Sequence, residues 1–198
     1  MEPDDLLPRH RSTRVRHQVL GAAAQLARDR AVPPMTPAQL NDGLPDSPAA
    51  LGPDLFMIVL QDRLPSLVRR LDGLSVRAGG PESVDEILTD AAQAIIAFYA
   101  EIQVAGVGAI GSIHELVRLR QALHAHGIRS RQAIEPLARY LRAEQKADRI
   151  AADADPEPAA ELLLGGCFHQ AFEEMFPGRD QVPSQRERAA RTVRGLRL

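Results

Sequence analysis

Apolar residues recur at spacings of three and four along most of this chain, a periodicity that predicts a succession of amphipathic helices. The strict alternation and the β-branched runs that are typical of strands are missing. Alanine, leucine and arginine, which have high intrinsic helix propensity, fill much of the sequence. The pattern therefore predicts an all-α protein of about nine helices.

The first part of the chain predicts a loose arm followed by a helix-turn-helix domain. Residues 1–13 are polar and contain prolines, which is typical of an arm. One apolar stripe runs over 14–28 and marks a first helix. Thr36 and Ser47 are each followed by proline. Threonine and serine are favoured N-caps, and proline is favoured at the first helical position, so each pair is expected to start a short helix. Two short helices this close together are typical of a helix-turn-helix, so 14–54 is predicted to be a DNA-binding-type domain.

The remainder, residues 55–198, predicts a larger helical domain for ligand binding and dimerisation. It begins with a long helix over 55–76, which Pro65 is expected to kink or split. Gly79-Gly80-Pro81 follows as a hinge, and a capping box that starts at Ser83 opens the next helix. That helix is expected to break at the glycines at 106, 108 and 111. Further helices are predicted over 112–126, 130–149, 156–176 and 184–198.

The composition gives no indication of a membrane, redox or metal protein. The formal net charge is −2, so DNA binding would have to come from a local patch. The single cysteine, Cys167, excludes an internal disulfide and a multi-cysteine metal site, and it is expected to be a small buried residue. No apolar run is long enough for a membrane span or a signal peptide. We therefore expect a cytoplasmic protein with no cofactor or metal and, in the absence of a convergent nucleophile, acid or base, not an enzyme.

Several segments together resemble the tetracycline-repressor family of transcriptional regulators. The segment over 19–27, VLGAAAQLA, is similar to the first helix of that family. The segments TPAQL at 36–40 and SPAAL at 47–51 are similar to its second and third helices. The stretch over 137–165, in which DADPEPAA joins two apolar helices, resembles the junction between its seventh and eighth helices.

The resemblance implies a homodimer that binds double-stranded operator DNA and is released from it by a small apolar effector. The first three helices would contact DNA, the middle helices would enclose the effector, and the last two would pack against the partner subunit. The residues implied in DNA binding are Arg9, Arg11, Arg14, Arg16, Thr36, Ser47, Pro48 and Ala49. The alternative to DNA binding by these four arginines is that they form a solvent-exposed face that binds no partner.

The predicted DNA-binding part departs from the family pattern in its charge. Between Ala31 and Asp62 there is no lysine or arginine, whereas Asp42, Asp46 and Asp54 are acidic. Phosphate contacts supply most non-specific affinity for DNA, and each needs a cation or an N–H donor. The alternative hypothesis is therefore a ligand-binding or partner-binding dimer of the same fold, whose helix-turn-helix has lost conventional DNA binding.

The apolar faces of the later helices supply the remaining candidate sites. The candidates for lining an effector pocket, for which plain core packing is the alternative, are Phe98, Tyr99, Ile102, Leu116, Leu119, Leu123, Leu137 and Phe168. The stripe on the helix over 156–176 is predicted to form an isologous dimer interface, because one neighbour could not cover a stripe so wide. The interface candidates are Leu163, Leu164, Cys167, Phe168, Ala171, Phe172, Met175, Val193 and Leu196.

Overall fold

The computed structural model describes residues 52–109, 113–129, 131–174, 183–196 and 198. Within these ranges every regular element is a helix and there is no strand, so the all-α prediction is confirmed for this part of the chain. The predicted arm and the three predicted helices of the helix-turn-helix domain lie outside the described residues.

Seven helices follow one another along the described ranges. They are α1 (Gly52–Asp72), α2 (Leu74–Arg77), α3 (Val84–Ala109), α4 (Ile113–Ala125), α5 (Arg131–Lys146), α6 (Pro156–Glu173) and α7 (Gln185–Arg194). Helix α3 is central, because it packs against α1, α6 and α7, and α5 packs against α6. Helix α4 lies mainly against α1.

The long helix predicted over 55–76 is interrupted at a glycine and not at its proline. Helix α1 passes through Pro65, and Gly73 separates it from α2. Pro65 has no backbone N–H, so one hydrogen bond of the helix is missing at this point. Leu60 and Leu67, on either side of Pro65, are both buried, and their packing stabilises the neighbouring helical turns. The predicted split near Pro65 is therefore wrong, whereas the alternative, a kink at Pro65, stays a prediction.

Helix α3 begins as predicted and continues further than predicted. The Ser83 hydroxyl accepts a hydrogen bond from the Glu86 N–H at 3.2 Å, and the Glu86 carboxylate accepts one from the Ser83 N–H at 3.3 Å, which completes the capping box. The predicted break at Gly106 is absent. A Cβ atom at Gly106 would lie 3.2 Å from the ring of Phe56, so this glycine allows α1 and α3 to pack closely.

Candidate functional site

The residues predicted to contact DNA lie outside the described residues. This holds for Arg9, Arg11, Arg14, Arg16, Thr36, Ser47, Pro48 and Ala49. Their role stays a prediction. The structure does describe the part of the chain that was predicted to bind an effector and a second subunit.

Most of the predicted effector-lining residues lie in the packed interior. Phe98, Ile102, Leu119 and Leu137 are buried, and Tyr99 and Leu123 are partly buried against the same apolar clusters. Leu116 is instead exposed on α4. The arrangement therefore corresponds to core packing, the alternative that the sequence had left open for these positions.

Three aromatic rings of the predicted pocket do come together. Tyr99 lies between Phe98, at a ring-centroid distance of 5.5 Å, and Phe168, at 5.3 Å with the rings edge to face. The amide of Gln103 donates a hydrogen bond to the backbone carbonyl of Phe168 at 3.1 Å. These contacts join α3 to α6, and burial raises the pKa of the Tyr99 hydroxyl. The cluster acts as a helix–helix contact.

The predicted dimer stripe divides between the interior and the surface of the subunit. Within the chain, Leu163, Leu164, Cys167, Ala171 and Val193 are buried, and Leu196 is partly buried against them. Helix α6 has three neighbours in its own subunit, α3, α5 and α7, and together they cover a stripe that one neighbour could not. These residues are therefore core residues and do not lie on a surface open to a partner. Met175 lies outside the described residues.

Other apolar residues of α6 are exposed on one side of the helix, which we call the outer face of α6: Leu162, Gly165, Phe168 and Phe172. Glu161 and His169 are exposed on the same side. Leu162 is 67 % exposed, Phe168 47 % and Phe172 42 %. A Cβ atom at Gly165 would meet nothing within 4 Å, whereas one at Gly166 would lie 2.5 Å from the methyl carbon of Thr192 on α7. Gly166 thus serves contact inside the subunit, and Gly165 leaves the outer face open to close approach by another helix.

The environment of Cys167 is that of an inert core thiol. The side chain is fully buried, and its sulfur lies 3.7 Å from the carbonyl oxygen of Ala92. Burial raises the pKa of the thiol to about 12. Nucleophilic and redox reactions need the thiolate, so this residue is not suited to a sensing role in the folded subunit.

A partly buried ion pair, which we call the strap, links the predicted hinge at 79–81 to α5. Glu144 is fully buried and lies 3.2 Å from Nε of Arg149. Its carboxylate also accepts a hydrogen bond from the N–H of Gly79 at 3.4 Å. Arg149 donates further hydrogen bonds to the carbonyl oxygens of Gly80 and Glu82. The positive φ of 70° at Gly79 confirms a turn. Hydrogen bonds to Glu144 and Arg149 hold this turn in place.

A cleft that the sequence did not indicate lies between α1 and the connection from α4 to α5, with a volume of about 490 Å³. We call it the α1 cleft. One side consists of residues spaced three and four apart on α1: Gln61, Leu64, Pro65, Val68 and Arg69. The other side consists of His126, Ile128 and Gln132. A second cleft, of about 530 Å³, lies along α4 beside Val117, Arg120, Gln121 and His124.

A glycine turn places the second side of the α1 cleft. Gly127 has a φ of 62°, and the N–H of Ile128 donates to the carbonyl of Leu123 at 2.9 Å, as in a Schellman motif. The side-chain amide of Gln132 donates to the carbonyl of Gly127 at 3.3 Å. The glycine predicted a helix end at this point, but only the tertiary packing of α4 on α1 brings His126 and Ile128 to α1.

In the described ranges, no three His, Cys, Asp or Glu side chains lie together in a way that could hold a metal ion. None of the helices described is both long and apolar enough to cross a bilayer.

Comparison of the chain with models of known families, with curated proteins and with solved structures finds no match.

Proposed function

We propose that the chain is a dimeric, ligand-responsive DNA-binding regulator of the tetracycline-repressor type. The observation that carries this proposal is the outer face of α6, where Leu162 and Phe168 are exposed beside an open glycine. Exposed apolar patches of this kind are typical of association surfaces. The all-helical bundle and the sequence resemblance over 19–51 and 137–165 support the rest of the proposal.

The geometry of the outer face of α6 supports the proposal of a dimer formed through this face. Gly165 lies midway between Leu162 and Phe168, so the backbone of a symmetry-related helix can approach there while the larger side chains pack on either side. A two-fold arrangement buries the same face on both subunits and closes the assembly. Two copies of the helix-turn-helix would then be held at a fixed spacing, as recognition of two half-sites requires.

A second candidate function is favoured by charge. No lysine or arginine occurs between Ala31 and Asp62, so a recognition helix at 47–51 would have only backbone N–H groups and the Ser47 hydroxyl for phosphate contacts. In this case the chain is a dimer of the same fold that binds a ligand or a protein partner without binding DNA.

A fluorescence anisotropy titration separates the two candidates. Labelled duplexes from the DNA that flanks the coding region are titrated with the protein at low salt. The regulator is expected to bind at micromolar dimer or below, with affinity that falls as salt rises. The charge-reversed variant Arg14→Glu/Arg16→Glu is expected to lose this binding, whereas Arg139→Glu, on the exposed surface of α5, is expected to keep it. The absence of binding at micromolar dimer supports the second candidate.

A further inference from the structure

The α1 cleft has an apolar wall and an arginine at its edge. Leu64, Val68 and Ile128 are partly buried along it, and Arg69 and His126 are exposed at its edge. Among the residues that the structure describes, no aspartate or glutamate lines the cleft. Such a composition suits a ligand that has an aliphatic body and a negatively charged group.

The charge of Arg69 is not neutralised by the subunit in the described ranges. The Arg69 guanidinium donates a hydrogen bond to the hydroxyl of Ser66, one turn earlier, at 3.0 Å. Within the described ranges Arg69 forms no ion pair. The carboxylates nearest to it along α1 lie beside other arginines. Asp62 is 3.8 Å from Arg63, and Asp72 is 3.5 Å from Arg139. Arg69 therefore remains able to bind a carboxylate, for which the planar guanidinium is well suited.

The cleft also sets a length for its ligand. Gln61 and Arg69 are eight residues apart on one helix, which corresponds to about 12 Å along the axis. A ligand that lies along α1 with its acid group at Arg69 would place its body against Val68, Leu64 and Pro65.

We infer that the α1 cleft binds an amphipathic carboxylic acid of medium chain length, with its carboxylate at Arg69 and its aliphatic chain along α1. This ligand class differs from the small apolar effector that the sequence resemblance implies in that it carries a negative charge. Gln132 is a positioning residue, because its amide holds the turn that carries His126 and Ile128. That the ligand regulates DNA binding rests on the proposed function, whereas its binding to the cleft does not.

Calorimetric titration of the full chain with decanoate, and with 1-decanol as the uncharged counterpart, tests this inference. Wild-type protein is expected to bind decanoate in one saturable site and more tightly than 1-decanol. The variant Arg69→Gln is expected to weaken decanoate binding about tenfold, the value of a charged hydrogen bond, and to leave 1-decanol binding unchanged. The matched control is Arg70→Gln, also exposed on α1 but outside the cleft, which is expected to bind decanoate as the wild type does.

Two results would overturn the inference. One is the absence of saturable decanoate binding by the wild type. The other is an equal effect of Arg69→Gln and Arg70→Gln on decanoate affinity. The DNA titration is kept separate, so that decanoate binding without any DNA binding refutes the proposed regulator and leaves the cleft assignment standing.

Discussion

At the scale of single residues, the two adjacent glycines of α6 have opposite surroundings. Gly166 meets Thr192 of α7, whose hydroxyl is held by a hydrogen bond to the carbonyl of Arg188 at 3.0 Å. Gly165 faces open space. The sequence shows only that a close approach is possible near this pair. Which glycine packs inside the subunit depends on how α7 lies against α6, and this is a tertiary property.

The glycine pair gives a matched stability prediction. Gly166→Ala is expected to lower the free energy of unfolding by about 1–3 kcal/mol, because its methyl group overlaps Thr192. Gly165→Ala is expected to preserve the fold and to add about 0.5–1 kcal/mol, because alanine is the better helix former. Urea unfolding followed by circular dichroism measures both variants at a low protein concentration. Equal effects of the two substitutions would contradict the packing of α6 on α7.

At the scale of elements, the sequence predicted those features that depend on local chemistry. The capping box at Ser83, the start of α6 at Pro156 and the end of α4 before Gly127 are confirmed, because caps and turns are set by residues within one or two helical turns. Ser184 likewise caps α7, and its hydroxyl accepts a hydrogen bond from the Glu187 N–H at 3.2 Å.

The features that the sequence did not predict depend on neighbouring elements. Gly106 lies in the interior of α3, where Phe56 packs against it, and Leu163 and Leu164 are core residues because three helices surround α6. Apolar periodicity identifies which face of a helix is buried, but it does not distinguish burial within the subunit from burial against a partner. For the same reason, the α1 cleft could not be predicted from the residues that line it.

The strap between α5 and the turn at 79–81 gives a prediction at this scale. Arg149→Ala leaves Glu144 as a buried carboxylate without its cation, so the free energy of unfolding is expected to fall by about 3–5 kcal/mol. The matched control is Arg131→Ala, which removes an exposed ion pair with Glu157 at 2.7 Å. This variant is expected to lower the free energy of unfolding by at most about 1 kcal/mol. Urea unfolding measures both, and limited proteolysis is expected to cut Arg149→Ala near residue 80. Similar losses from the two variants would show that the strap contributes no more than a surface pair.

At the scale of the whole molecule, the described part is a helical bundle with α3 at its centre and with exposed apolar side chains on α6 and on α4. The core is continuous through α1, α3, α5, α6 and α7, so the bundle does not need a partner to fill its interior. The outer face of α6 borders this core, because its Phe168 packs against Tyr99, whereas its Leu162 is 67 % exposed. An association surface is the economical explanation of that face, and a dimer is the arrangement that the proposed function requires.

Sedimentation velocity of the full chain, with the variant Leu162→Arg, tests the central claim most directly. Leu162 is 67 % exposed on the outer face of α6, so arginine should disrupt association without disturbing the core. The wild type is expected to sediment at twice the chain mass of 21.6 kDa and Leu162→Arg at the mass of one chain, with unchanged helical content. Val76→Arg, a substitution at an 89 % exposed residue on α2, is expected to remain dimeric. A wild-type protein that remains a monomer at high concentration, or a Leu162→Arg variant that remains a dimer, would contradict the account.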